Sequence, residues 1–302
     1  MGQARAGIQR IHEQQKAKKA EALSQAKAVE GGDEAAILAI ASLAQNQTDQ
    51  TRQKAIQSVA SIFNLDAYTA RMKIPSAGFR IHRIGPWGEV SYYQKALQAA
   101  NVPALSVKVN DIKGLQTFQI CHFESLSPQL TVICKSVEGR LGKISFESAE
   151  ISQQVSGQLP IFEQVVDIGN WGKTVHKEKV QDYAQVMDLH LPERKIVLRV
   201  CDRLYQYKQG ISTSTSKEIN SRIQWNQLLT HLNAAISTPH HDDFTRFGQG
   251  ALEFVNLLPP INPKLDIDRR APSHWDQAFH IYSSLCYWNN RQKLSKKIDS
   301  TI

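Results

Sequence analysis

Residues 56–74 read IQSVASIFNLDAYTARMKI, and this stretch predicts two short helices joined by a tight turn. The first helix has one apolar face at helical spacing, formed by Ile56, Val59, Ala60 and Phe63. Asn64 follows, and asparagine tolerates the left-handed backbone better than any residue except glycine. Asp66 is a good N-cap for a second helix that begins at Ala67, and Pro75 ends that helix.

The pattern resembles the helix-turn-helix of many bacterial DNA-binding proteins, over residues 56–74 alone. The matching positions are Val59, Ala60, Phe63, Asn64, Leu65, Asp66, Thr69 and Ala70. The resemblance implies that the second helix lies in a DNA groove. The side chains that it would present to the groove are Tyr68, Thr69, Arg71 and Lys73.

An upstream segment is expected to complete a three-helix module over residues 31–77. Residues 34–44 place apolar side chains on one helical stripe, formed by Ile37, Ile40, Ala41 and Ala44. Residues 1–30 are rich in Ala, Gln, Lys and Glu and carry few large apolar side chains, which predicts a frayed or partly disordered helical arm. A helical hairpin for docking or dimerisation is the alternative reading of the module.

The charge balance favours a polyanionic partner. The chain has 36 Lys and Arg against 28 Asp and Glu, a net charge of +8. One basic cluster near the start would contact phosphates, through Arg5, Arg10, Lys16, Lys18 and Lys19. A second lies near the end, at Arg291, Lys293, Lys296 and Lys297. The alternative is that both clusters are solvated helix ends.

The remaining residues, 78–302, predict a mixed α/β domain with a helical C-terminal part. Short apolar and β-branched runs predict strands over residues 79–84, 104–109, 117–123, 130–134, 143–146, 161–168 and 195–200. Helices are expected over residues 92–100, 174–189, 217–236, 243–258 and 273–298. The predicted fold class is therefore mixed α/β: a small all-α module, then a mixed parallel and antiparallel sheet with flanking helices.

Two groups of side chains could carry chemistry. Asp167 and Asp202 end predicted strands joined by a helix, so parallel pairing would place both carboxylates at one sheet edge. There they could hold Mg²⁺ or Mn²⁺ for phosphoryl transfer, as in a nuclease. The second group is an alternative metal site or a helix cap, made of His240, His241, Asp242 and Asp243. Residues 169–174, GNWGKT, lack the spacing of a phosphate-binding P-loop.

Several classes are disfavoured by simple features. The N-terminus lacks the apolar stretch of a secretory signal, and no run approaches the length of a membrane span. Four cysteines without CxxC spacing indicate buried thiols and a cytoplasmic protein. We therefore expect a nucleic-acid-binding protein without catalysis or cofactor, whose C-terminal domain mediates assembly and could form a homo-oligomer. The alternatives are the metal-dependent phosphoryl-transfer enzyme and a scaffold that binds no nucleic acid.

Overall fold

A computed structural model describes residues 2–44, 47–168, 174–210, 220–255, 257–258 and 274–299. The chain divides into two units, residues 1–111 and residues 112–302, which we describe separately. The helices of unit 1 are α1 (Gly2–Lys27), α2 (Asp49–Phe63), α3 (Ala67–Lys73) and α4 (Trp87–Ala99). Its strands are β1 (Ala35–Ala41), β2 (Phe79–Pro86) and β3 (Ala104–Lys108).

The sheet of unit 1 has the strand order β2-β1-β3, and both outer strands are antiparallel to β1. Strands β2 and β3 therefore run in the same direction, with α4 as the crossover and β1 inserted between them. This confirms the strand, helix and strand predicted over residues 79–84, 92–100 and 104–109. Helices α2 and α4 pack their apolar faces, including Val59 and Leu97, into one core with Leu38 of β1.

The predicted helix over residues 34–44 is wrong, because Ala35–Ala41 is the central strand β1. Five consecutive residues, 36–40, are fully buried, so β1 is covered on both faces. A strand buried on both faces has an apolar run without alternation, which periodicity cannot separate from a short buried helix. The helix pair α2–α3 therefore belongs to a mixed α/β unit and not to a three-helix module.

Unit 2 is built on a seven-stranded sheet of order β10-β7-β8-β9-β4-β5-β6. Its strands are β4 (Gln116–Ser125), β5 (Leu130–Lys135), β6 (Leu141–Phe146), β7 (Gln153–Ile168), β8 (Thr174–Leu191), β9 (Ile196–Cys201) and β10 (His240–His241). Its helices are α6 (Ser221–Ala235), α7 (Phe244–Val255) and α8 (Trp275–Asp299), while α5 (Val109–Gly114) spans the division between units. The β4–β9 and β10–β7 pairs are parallel and the others antiparallel, so the predicted mixed sheet and mixed α/β class are confirmed.

Helices cover both faces of this sheet. Leu189 and Leu198 pack with Trp225 and Leu228 of α6 in one apolar cluster. On the other face, Gly157 of β7 lies against aromatic rings of α7 and α8. Helix α6 therefore lies on one face of the sheet, with α7 and α8 on the other.

The predicted helix over residues 174–189 is also wrong, because these residues lie in strand β8. β8 pairs with β7 along its whole length, from Gln153 opposite His190 to Ile168 opposite Thr174. The cross-strand hydrogen bonds of this hairpin override a local sequence that also suits a helix. Residues 169–173, which include most of the GNWGKT segment, lie outside the described residues.

Candidate nucleic-acid interface

The turn between α2 and α3 has the geometry that the sequence predicts. Asn64 has φ 55° and ψ 52°, the left-handed conformation, and it caps the C-terminus of α2. The Leu65 N–H donates to the Ala60 carbonyl at 2.9 Å, and the Leu65 side chain packs against the core of unit 1. This is the Schellman arrangement, which ends a helix and redirects the chain within three residues.

The start of α3 is fixed by Asp66. Its carboxylate accepts hydrogen bonds from the Thr69 N–H at 2.9 Å and from the Thr69 hydroxyl at 2.5 Å. The hydroxyl bond, followed by the backbone bond, lowers the pKa of the Asp66 carboxyl, so the cap is ionised at neutral pH. Thr69 is therefore occupied by the cap, and its predicted role in the groove is not favoured.

The outward face of α3 consists of Tyr68, Arg71 and Met72. Tyr68 is 75% exposed and Met72 is 50% exposed, while Ala70 on the opposite side is fully buried. Arg71 is exposed as well. Lys73 is half-buried and lies near His82: burial first, then the charge of Lys73, lowers the pKa of His82 to about 4. Of the four side chains predicted to face the groove, Tyr68 and Arg71 are fully available.

The predicted phosphate contacts on α1 have different environments. Lys16 and Lys18 are exposed. Lys19 is half-buried, donates to the Ile62 carbonyl at 2.6 Å and lies 5.6 Å from the centre of the Tyr93 ring. Lys19 therefore anchors α1 to the rest of unit 1. Arg5 and Arg10 lie on α1, but their side chains are outside the described set.

Helix α1 is held against α4 by further contacts. Lys27 forms an ion pair with Glu89 at 3.1 Å, and Arg83 reaches the other carboxylate oxygen of Glu89 at 2.5 Å. Gly88 allows close backbone approach, because a Cβ there would lie 2.0 Å from the Ala26 carbonyl oxygen. The C-terminal end of α1 is thus docked, which contrasts with the frayed arm expected from its composition.

Asp167 and Asp202 are not brought together. Strand β8 separates β7 from β9, and the Asp202 carboxylate accepts the Gln185 N–H at 2.9 Å. Gln185 lies opposite Gln158 of β7, and Asp167 is nine residues further along that strand. At about 3.3 Å per residue, the two backbones are roughly 30 Å apart. The alternative in which these aspartates share a sheet edge is therefore wrong, and phosphoryl transfer loses its metal site.

The His240–Asp243 segment also forms no metal site. His240 is exposed and its Nε2 lies 2.8 Å from the Ser156 hydroxyl. Burial lowers the pKa of the half-buried His241, while Asp243 immediately precedes α7, where a carboxylate suits the positive end of the helix. Within the residues that the structure describes, no group of three or more His, Cys, Asp or Glu could hold a metal ion.

The sequence interpretation missed a buried polar network in unit 2. Asp188 of β8 and Arg199 of β9 form a two-pronged ion pair at 2.7 and 2.6 Å. Ser283 of α8 lies 2.5 Å from the Asp188 carboxylate and 2.8 Å from His190 Nε2, and His190 Nδ1 lies 2.8 Å from the Gln153 amide nitrogen.

The direction of each hydrogen bond follows from the ion pair with Arg199, in which the Asp188 carboxylate can only accept. Ser283 donates its proton to Asp188, its oxygen accepts from His190 Nε2–H, and His190 Nδ1 accepts from Gln153. One signal could have identified the group: Asp188 and His190 interrupt the apolar run 186–191, and Arg199 interrupts the apolar run 196–201. Polar and charged residues in such runs need buried partners.

Two further findings concern the described helices and the cysteines. No helix in the described part of the chain combines the length and apolar character needed to cross a membrane. All four cysteines are free thiols, and Cys134, Cys201 and Cys286 are buried. Comparison with known proteins identifies no relative: no family model, no curated protein and no solved structure matches this chain.

Proposed function

We propose that this protein binds duplex DNA through the outward face of α3. The observation that carries the proposal is that Tyr68, Arg71 and Met72 project from a helix whose start is capped and whose opposite side is buried. A short helix held rigidly after a tight turn is the arrangement that helix-turn-helix proteins place in the major groove. The resemblance of residues 56–74 to those proteins supports the same reading.

The excess of basic residues in unit 1 supports binding to a polyanion such as DNA. Unit 1 contains 14 Lys and Arg residues against 9 Asp and Glu residues. Lys16 and Lys18 are exposed on α1 and would contact phosphates without reading sequence, while Arg71 would reach a base edge. Lys19 and Thr69 would contribute indirectly, by fixing the positions of α1 and α3. In this proposal the protein performs no catalysis and needs no cofactor.

Unit 2 would serve assembly, including self-association into a homo-oligomer. Its buried thiols suit a reducing compartment, which makes the cytoplasm the proposed location. In the scaffold alternative, unit 2 has the same role in assembly and the protein binds no DNA.

The proposal is tested by titrating labelled duplex DNA with the full chain and following fluorescence anisotropy. Affinity should fall steeply between about 50 mM and about 200 mM salt, because bound phosphates release counterions. Arg71→Ala should weaken binding by about 1–3 kcal/mol if Arg71 reaches a base edge. Lys95→Ala, which removes an exposed charge from α4, is the matched control and should weaken binding far less.

Two results would reject the proposal. No binding to duplex DNA at low salt would leave the scaffold alternative. Equal losses from the Arg71 and Lys95 variants would mean that α3 has no special place in the interface. Urea unfolding of each variant confirms that the fold is intact, since both side chains are exposed.

A further inference from the structure

The two faces of the unit 2 sheet differ in chemistry. Residues Met187 and Leu189 of β8 point to the α6 side, where the cluster is apolar. The alternating residues Asp188 and His190 point to α8, where they meet Ser283. Arg199 lies on the same side, 4.9 Å from the ring of Phe279. The charged and titratable groups of this sheet core are therefore concentrated under α8.

A second histidine lies in the same layer. His280 of α8 is 1% exposed and precedes Ser283 by three residues, so both lie on the helix face that meets the sheet. Its ring forms a backbone hydrogen bond with Ile112, which leaves Nε2 without a partner among the described protein atoms. His280 therefore projects from α8 toward the sheet, and His190 projects from the sheet toward α8.

The groups around these rings offer little compensation for a new positive charge. From β8 comes Asp188, which is already paired with Arg199 of β9. His241 of β10 acts electrostatically on His190, and the Tyr287 ring of α8 lies 5.5 Å from the His190 ring. Arg199 and Asp188 are also the charges that act on His280. A proton added to either histidine therefore enters a site whose described anion is neutralised.

Hydrogen bonding opposes the proton as well. A protonated His190 carries N–H groups on both nitrogens, and its Nδ1–H would then face the amide nitrogen of Gln153, which is also a donor. Relief of this contact requires Gln153 to rotate its amide, so that the amide oxygen accepts from His190 Nδ1–H. Movement of α8 would expose both histidines to water, where the imidazolium is well solvated.

We propose that α8 is an acid-sensitive latch: protonation of His190 and His280 releases α8 from the sheet while α6 remains packed. Helix α7 moves with α8, because Phe244 and Phe247 of α7 contact the Tyr282 ring of α8. The α6 face has an apolar core and keeps its packing across the same pH range.

The direction and size of the effect follow from linkage. Burial lowers the pKa of His190 to about 4 and that of His280 to about 3, below the value near 6.5 of an exposed histidine. The stabilisation of the packed α8 by neutral histidines is fully present above pH 6.5 and is lost as the pH falls toward 4. Between about pH 7 and about pH 5, each histidine shifts the balance toward the released state by about 20-fold.

The test is hydrogen–deuterium exchange of the full chain at about pH 7 and about pH 5, corrected for intrinsic exchange rates. Protection of α8 should fall by about 400-fold between the two conditions, the product of the two shifts, and that of α6 should change by less than about threefold. The variants His190→Gln and His280→Asn retain the donors toward Ser283 and Ile112 but do not titrate. The double variant should abolish the α8-specific loss.

The control is His231→Asn, because His231 is exposed on α6 and should leave the pH response unchanged. Parallel loss of protection in α6 and α8 would overturn the latch, since it would indicate unfolding of the whole unit. Unchanged protection of α8 at pH 5, or an unaltered response in the double variant, would overturn it as well. If the double variant does not fold, each single variant should still reduce the response by about half on a logarithmic scale.

Discussion

Removing one partner of the buried Asp188–Arg199 pair should destabilise unit 2 severely. The Arg199 side chain is 1% exposed and that of Asp188 is 0% exposed, so neither charge can recover hydration after its partner is lost. Arg199→Met would leave the Asp188 carboxylate with the Ser283 hydroxyl as its described side-chain donor. Asp188→Leu would leave the guanidinium beside the Phe279 ring and the fully buried His280.

The expected magnitude is about 3–5 kcal/mol for either single substitution, because an uncompensated buried charge remains. That is a large part of the roughly 5–15 kcal/mol by which domains of ordinary size are stable. The double variant Asp188→Leu/Arg199→Met removes both charges together. Its loss of unfolding free energy should be several kcal/mol smaller than the sum of the losses in the two single variants. Part of the remaining loss arises because Ser283 then has no acceptor, at a cost of about 1–3 kcal/mol.

Urea unfolding followed by circular dichroism measures these free energies by linear extrapolation. A surface pair of the same type supplies the control: Asp182 and Arg203 are 57% and 35% exposed. Asp182→Asn should cost less than about 1 kcal/mol, because solvent screens such a pair. A cost below about 1 kcal/mol for Arg199→Met, or simple additivity in the double variant, would refute the reasoning.

Two smaller substitutions test close packing and the turn. Gly157→Ala should lower the free energy of unfolding by about 1–3 kcal/mol in urea titrations, because its Cβ would lie 2.6 Å from the Phe244 ring and 2.9 Å from the Phe279 ring. Gly142→Ala, whose Cβ meets nothing within 4 Å, should be neutral, and equal losses would contradict the packing argument. Asn64→Ala should cost about 1–2 kcal/mol at φ 55°, whereas Asn64→Gly should keep or raise the melting temperature.

Local signals in the sequence were sufficient for the α2–α3 segment. The Asn64 turn and the Asp66 cap were both predicted, and both are observed with the expected backbone angles and hydrogen bonds. These features depend on residues within a few positions of one another, so no distant contact can override them. The three C-terminal helices were also predicted, to within a few residues of α6, α7 and α8.

Pairing with strands outside the segment itself explains both incorrectly predicted helices. Strand β1 is defined by hydrogen bonds to β2 and β3, which lie more than 35 residues further along the chain. Strand β8 is defined by its hairpin with β7, whose pairs run from Ile168 opposite Thr174 to Gln153 opposite His190. In each case the segment alone is compatible with a helix, and hydrogen bonds to neighbouring strands make it a strand.

The partners within the buried network could not be predicted from the sequence for a similar reason. Gln153, Asp188, Arg199 and Ser283 come from four elements, and their separations in sequence give no motif. The sequence did contain charged side chains inside the apolar runs 186–191 and 196–201, which require buried partners. The partners that meet this requirement follow only from the sheet order and from the position of α8.

The candidate interface and its support are separate sets of residues, and this separation makes the DNA hypothesis testable. A seven-residue helix is too short to be stable alone, so α3 depends on its contacts with the rest of unit 1. Those contacts come from Leu65 and Ala70 on the inner side. Tyr68 and Arg71 lie on the outer side and can be replaced without loss of packing. A change in DNA affinity in those variants therefore reports on the interface, because the helix that carries it remains in place.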